Sequence, residues 1–127
     1  MSPLRTRRER LAADSLVVIR GGTLDESSLR ADAERTFRRF GERGVSVLAA
    51  PTDDDLDLLG RTVLRRYEQL TVTSAGAIRR AGLELRPTFR RPHYTVMLPD
   101  LDADVERLTS CENEQRLNRH FRREEAE

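Results

Sequence analysis

Short β-branched runs alternate with helix-forming segments along this chain, and this alternation restricts the folds that it can adopt. Runs rich in Val, Ile, Leu and Thr predict strands, and the segments between them carry apolar residues at the spacing of an amphipathic helix. Ser, Thr and Asp residues precede these helical segments, where their side chains can cap the first turn. The predicted strands lie at residues 15–20, 45–50, 70–73, 83–86 and 94–98.

The element order β-α-β-α-β-α-β-β-α predicts an α/β (or α+β) domain. We expect a single mixed sheet of about five strands with the helices packed on it. Because helices separate the first three strands, the pattern favours right-handed parallel crossovers there, whereas the last two strands favour an antiparallel hairpin. The predicted organisation is a flexible basic arm at 1–13, a single α/β domain at 14–112 and a charged mobile tail at 113–127.

The composition excludes several classes of protein. The 127 residues include 23 basic and 22 acidic side chains, and the net charge of +1 argues against a uniformly basic nucleic-acid coat. Every basic residue is an arginine, so lysine-dependent chemistry is excluded, and the single cysteine excludes an internal disulfide. The apolar runs are too short for a transmembrane helix or a signal peptide, so we expect a cytoplasmic protein without membrane association. No metal site is predicted, since the aspartates at 53–57 fit a helix N-terminus.

Arginine is concentrated between residues 79 and 91, where five arginines stand against one glutamate. Arginine interleaved with aromatic residues is typical of proteins that bind phosphates and stack on exposed RNA bases. The candidate nucleic-acid-binding residues are Arg79, Arg80, Arg86 and Phe89. The candidate catalytic residues for metal-independent RNA cleavage are His93, Tyr94, Arg90 and Arg91.

In that cleavage reaction, His93 is the general acid or base and Tyr94 orients the base. Arg90 and Arg91 stabilise the charge that develops on the phosphorane. The alternative is structural: Tyr94 is a core residue and the arginines form the solvated face of a hairpin. Strand alternation places Tyr94 on one face of the last strand and His93 on the other.

A second candidate site follows the first predicted strand, at Arg20, Gly21 and Gly22. In open α/β sheets, ligands bind at the ends of strands, and the two glycines would let a ligand approach the backbone. The alternative is that these residues form a tight turn that leads into a capped helix. With Ser46 on the second strand, Arg20 and Gly21 are similar in outline to small ADP-ribosyltransferase-like enzymes. That resemblance implies that Arg20, Gly21 and Ser46 hold a nicotinamide cofactor. The acidic catalytic motif of those enzymes has no clear counterpart, and Glu68 and Glu84 are its candidates.

Three stretches together resemble a group of short actinobacterial proteins of unassigned function. They are residues 17–22 (VVIRGG), 40–47 (FGERGVSV) and 91–100 (RPHYTVMLPD). The resemblance covers most of the chain and implies no particular activity. It fits the absence of lysine, which is typical of GC-rich genomes.

Three functions are compatible with these features. The leading hypothesis is a small cytoplasmic RNA-interacting protein, toxin-like in character, that uses the arginine-rich segment 79–94 and needs no cofactor. The first alternative is an ADP-ribosyltransferase-like enzyme that uses Arg20 and Ser46. The second is a non-catalytic protein that binds a protein partner, such as one half of a toxin–antitoxin pair. The sequence does not determine the oligomeric state.

Overall fold

The computed structural model describes residues 4–8 and 13–122, which form one antiparallel sheet of six strands with four helices. In chain order the elements are β1 (Val17–Gly21), α1 (Glu26–Phe40), β2 (Gly44–Ala50), α2 (Asp53–Arg61), β3 (Gln69–Ser74), α3 (Ala75–Arg80), β4 (Glu84–Pro87), β5 (His93–Met97), α4 (Leu101–Ser110) and β6 (Glu114–Leu117). The strands are hydrogen-bonded in the order β4-β5-β2-β1-β3-β6. The predicted α/β domain with a single sheet is confirmed.

The direction of the strands differs from the prediction. β1 is antiparallel to β2, and their register pairs Ile19 with Leu48, so β1 ends and β2 begins at the same end of the sheet. α1 therefore does not carry the chain back to the opposite end, as a parallel crossover would. β2 and β3 do run in the same direction, but β1 lies between them and is antiparallel to both. The predicted hairpin of β4 and β5 is antiparallel and is confirmed.

The sheet buries both of its faces, each under different helices. On one face, the core includes Val18 and Val96 and packs against α1, α3 and α4. On the other face, the core includes Ile19 and Val72 and packs against α2. This division follows from strand alternation, which sends neighbouring residues such as Val18 and Ile19 to opposite faces.

Side-chain caps and a glycine set the ends of the helices. The Asp25 carboxylate accepts a hydrogen bond from the Ser28 amide at 2.9 Å, and Thr52 and Ser74 cap α2 and α3 in the same way. α1 ends at Gly41, whose φ of 80° is left-handed and suits glycine. The Asp25 cap marks the start of α1, which follows β1 after a short connecting segment.

Both ends of the chain contact the sheet. At the N-terminus, Thr6 pairs with Thr88 in an antiparallel bridge. Near the C-terminus, β6 pairs with β3 and is the sixth strand of a sheet for which about five strands were predicted. The strand was missed because it lies at an edge, and most of its residues are exposed and polar. Residues 1–3 and 9–12 of the predicted arm, and 123–127 of the predicted tail, lie outside the described residues, and the mobility of both segments stays a prediction.

Candidate functional site

A cleft of about 1030 Å³ opens beside β1 and β2. Its walls come from the end of β1, one side of α1, the middle of β2, the segment 63–67 after α2, and the segment between β4 and β5. The cleft contains Arg20, Gly21 and Ser46 from one predicted site, and Phe89 and His93 from the other. The cleft therefore brings together residues from two sites that the sequence predicted as alternatives.

Arg20 lies at the base of this cleft, with 13% of its side chain exposed. Its guanidinium forms an ion pair with Asp32 of α1, and Nη1 donates a hydrogen bond to the carbonyl oxygen of Ser46 at 3.3 Å. The buried Nε has no hydrogen-bond partner among the described residues. Burial lowers the pKa of Arg20 below its ordinary value, although nearby Tyr67 and Asp25 act in the opposite direction.

Arginines outnumber carboxylates in the lining of the cleft. Arg35, Arg39 and Arg66 line it together with Arg20, whereas its acidic residues are Asp25 and Asp32. Both carboxylates are engaged. Asp32 binds Arg20 and Arg35 together, and Asp25 caps α1 through hydrogen bonds that hold its pKa at about 2. The cleft therefore carries an excess of positive charge on a nearly neutral protein, which favours an anionic ligand.

The most exposed aromatic rings in the lining of the cleft are those of Tyr67 and Phe89. Tyr67 is 44% exposed, and its ring lies against Gly21 so closely that a Cβ there would be 2.4 Å from Tyr67 Cδ2. Phe89 is 37% exposed and has a left-handed φ of 54°, which is strained for a large side chain. Its ring centroid lies 5.5 Å from that of Phe40 and 5.0 Å from that of His93. These rings offer stacking surfaces next to the arginines.

His93 is the titratable ring in this part of the cleft. Its Nδ1 lies 2.7 Å from Thr88 Oγ1, which in turn lies 2.8 Å from Thr95 Oγ1. Burial lowers the pKa of His93 below its ordinary value of 6.5. A hydrogen bond with Thr88 acts in the opposite direction, and the charge of the nearby Arg7 lowers the pKa further. A neutral imidazole is therefore expected at neutral pH.

The remaining candidates lie elsewhere. Tyr94 is 3% exposed and belongs to the core on the face of the sheet opposite His93. Arg90 and Arg91 are exposed in the segment between β4 and β5, outside the lining of the cleft. Tyr94 therefore fits the structural alternative, and the set of four catalytic candidates does not come together.

The three arginine candidates for nucleic-acid binding do not form a common surface with the cleft either. Arg79 Nη1 lies 2.5 Å from Asp14 Oδ1, and Arg80 Nη2 lies 3.9 Å from Glu112 Oε2. Arg86 lies 3.0 Å from carboxylate oxygens of both Glu42 and Glu84. Acidic partners thus offset the local charge excess that the sequence showed. Of the predicted nucleic-acid-binding residues, Phe89 alone is in the lining.

The lining residues that were not predicted as site residues include three arginines and a tyrosine, which are Arg35, Arg39, Arg66 and Tyr67. In α1, the lining residues Asp32, Arg35 and Arg39 recur at intervals of three and four, so the sequence contained a polar stripe on that helix. Arg66 and Tyr67 follow α2, which ends at Arg61. Nothing in the sequence marked that segment as the wall of a cleft.

No protein-family model, curated protein or solved structure gives a significant match to this chain. The site is therefore assigned from its geometry, and the resemblances to actinobacterial proteins and to ADP-ribosyltransferases stay predictions.

Two further features are absent from the part of the chain that the structure describes. There, no group of three or more His, Cys, Asp or Glu side chains is arranged to hold a metal ion. Within the same residues, none of the helices has the length and apolar character needed to cross a bilayer.

Proposed function

We propose that this protein binds single-stranded RNA through the cleft beside β1 and β2. The observation that carries the proposal is the juxtaposition of guanidinium groups and exposed aromatic rings in one open cavity. A volume of about 1030 Å³ is at the upper end of small-molecule sites, so the cleft has room for more than one nucleotide unit. We place this activity in the cytoplasm and regard it as toxin-like, as the sequence predicts.

The phosphates of the RNA fit the α1 side of the cleft. Arg35 and Arg39 project from successive turns of α1, and their exposed positions leave them accessible to a ligand. Arg39 also lies over the Phe40 ring, with 5.4 Å from its Cζ to the ring centroid. Guanidinium groups bind phosphate oxygens with two parallel hydrogen bonds, which favours arginine for this purpose.

The bases fit against Tyr67 and Phe89, whose side chains are exposed in the lining of the cleft. Stacking of a base on an aromatic ring contributes about 1–3 kcal/mol and tolerates any base. Contacts within the protein restrain both rings. The Tyr67 ring contacts Gly21, and the Phe89 ring contacts the rings of Phe40 and His93. Rings that are already fixed lose little entropy when a base stacks on them.

Binding is better supported than cleavage. General acid–base cleavage of RNA needs two groups that transfer protons, and of the four predicted catalytic residues only His93 lines the cleft. We therefore propose RNA binding as the function, with His93 as a contact residue.

An ADP-ribosyltransferase-like activity is the second candidate, because Arg20 and Ser46 both line the cleft and are joined by a hydrogen bond. Two features weigh against it. Among the described lining residues there is no glutamate, and Glu84 instead pairs with Arg86. The Arg20 guanidinium is also already engaged by Asp32, so a nicotinamide cofactor would have to displace that carboxylate. The protein-partner hypothesis gains no specific support.

Binding to RNA can be tested with neighbouring arginines on α1. Arg39 lines the cleft, whereas Arg38 is exposed on the same turn and lies outside the lining. Fluorescence anisotropy would follow a labelled oligouridylate of about ten nucleotides, a typical length for a single binding groove. We expect Arg39→Ala to weaken binding about tenfold at low salt. The slope of the logarithm of affinity against the logarithm of salt concentration should fall by about 1, as expected for the loss of one phosphate contact.

Arg38→Ala is the matched control, and its affinity should stay within about twofold of the unmodified protein. Absence of RNA binding at low salt, or equal losses in the two variants, would contradict the proposal. A rise in melting temperature with NAD, abolished by Arg20→Ala, would support the second candidate instead.

A further inference from the structure

Asn118 lies behind one wall of the cleft, in the segment that follows β6. Its side chain is buried, and Nδ2 lies 3.1 Å from each of three carbonyl oxygens, those of Gly60, Leu64 and Tyr67. Its Oδ1 accepts a hydrogen bond from the backbone amide of His120 at 3.0 Å. The amide group therefore uses its donors and its acceptor at the same time.

The three carbonyl groups belong to the segment that forms the Tyr67 wall of the cleft. α2 ends at Arg61, and no regular element continues from there to β3. Backbone hydrogen bonds also join the chain after β6 to this part of the molecule. The backbone N–H of Asn118 donates to the carbonyl oxygen of Glu68 at 2.8 Å, and the backbone N–H of Arg122 donates to the carbonyl oxygen of Arg65 at 2.8 Å. A primary amide is the side chain that can donate to several carbonyl groups without introducing charge.

We propose that Asn118 is a positioning residue of the cleft, which fixes the segment 60–67 so that the Tyr67 ring stays against Gly21. Tyr67 is 44% exposed, so packing alone does not fully fix the orientation of its ring. Its backbone is held by Asn118, and its ring rests on the one β1 residue that has no Cβ to block it. The functional consequence, which rests on the proposed function, is that Asn118 affects the affinity for RNA without contacting the RNA.

The inference can be tested in full-length protein carrying Tyr94→Phe. The chain has two tyrosines, so Tyr67 is then the single tyrosine. The tyrosine band of the near-ultraviolet circular dichroism spectrum reports whether its ring is fixed. We expect Asn118→Ala to reduce this band strongly and to weaken binding of oligouridylate about tenfold, as expected for the loss of one stacked base. Asn113→Ala is the matched control, since Asn113 donates to Cys111 near the same end of the chain, and should change neither quantity.

A double-mutant cycle separates positioning from a general loss of structure. If Asn118 acts through Tyr67, adding Asn118→Ala to Tyr67→Ala should weaken RNA binding no more than about twofold further. If the two losses multiply, the inference is wrong. Where Asn118→Ala does not fold, Asn118→Ser keeps one donor and should give the same changes to a smaller degree. Failure of both variants to fold would assign Asn118 a purely structural role and overturn the inference.

The dichroism does not require RNA, so the two proposals can fail separately. A reduced tyrosine band in Asn118→Ala, together with no RNA binding by the unmodified protein, would support the positioning of Tyr67 and contradict the proposed function. An unchanged band in a folded Asn118→Ala protein would overturn the positioning role, whatever the RNA affinity.

Discussion

The partly buried imidazole of His93 contributes to the pH dependence of stability. Burial lowers its pKa in the folded state below 6.5, whereas in the unfolded chain the ring is fully hydrated. Below pH 6.5 the unfolded state therefore binds protons that the folded state does not, and this favours unfolding. The contribution of His93 to stability is present at pH values above its pKa in the unfolded state. It is lost as the pH falls from that value toward the lower pKa of His93 in the folded state.

We expect the free energy of unfolding to decrease as the pH is lowered from about 7 to about 5, the range in which histidine titrates. In His93→Gln this decrease should become smaller, because that variant has no imidazole to protonate. Urea unfolding at a series of pH values provides the measurement. An equally steep decrease in the variant would show that other groups cause it.

Part of the site was predictable residue by residue. Alternation along 94–98 placed His93 and Tyr94 on opposite faces, and the structure has His93 in the cleft and Tyr94 in the core. The charge of the arginine cluster was also visible, but its partners were not. Asp14 and Glu42 lie far along the chain from Arg79 and Arg86, and only the tertiary fold brings these pairs together.

Strands and helices were predictable wherever a local pattern marked them. The first five strands and the four helices follow from apolar periodicity and side-chain caps. The direction of β2 relative to β1 was not predictable, because a helix between two strands permits either direction and only the pairing of distant residues decides it. The edge strand β6 has no apolar alternation and was missed for that reason.

The N-terminal segment 4–8 stabilises the segment that carries Phe89 and His93. Arg7 Nη1 donates hydrogen bonds to the carbonyl oxygens of Thr88 at 2.6 Å and His93 at 2.7 Å. The Arg7 guanidinium also lies 4.7 Å from the centroid of the Tyr94 ring. The Phe89 amide donates to the carbonyl oxygen of Arg5 at 2.9 Å, which helps to hold the strained backbone of Phe89.

We expect Arg7→Ala to lower the free energy of unfolding by about 1.5–3 kcal/mol, because hydrogen bonds from a charged donor are lost. Arg8→Ala removes an exposed arginine of the same segment and should change stability by less than about 0.5 kcal/mol. Urea unfolding of the two variants provides the comparison. Equal stability of Arg7→Ala and the unmodified protein would contradict a structural role for the segment.

At the scale of the whole molecule, the protein is nearly neutral with a net charge of +1, and its arginines include two differently organised sets. Arg79, Arg80 and Arg86 pair with carboxylates on the surface. Arg35 and Arg39 lie in the cleft, where the carboxylates serve as a helix cap or are shared between two arginines. The paired surface arginines contribute to solubility, whereas the cleft arginines line the site that we propose for RNA.

An NMR titration of the isotopically labelled protein with oligouridylate tests the central claim most directly. If RNA binds in the cleft, the first and largest changes in backbone and side-chain signals should come from Gly21, Arg39, Tyr67, Phe89 and His93, and the signals of Arg79 and Arg80 should not move. Changes confined to Arg79, Arg80 and Arg86, with the cleft unaffected, would contradict the account and restore the arginine-rich segment as the binding surface.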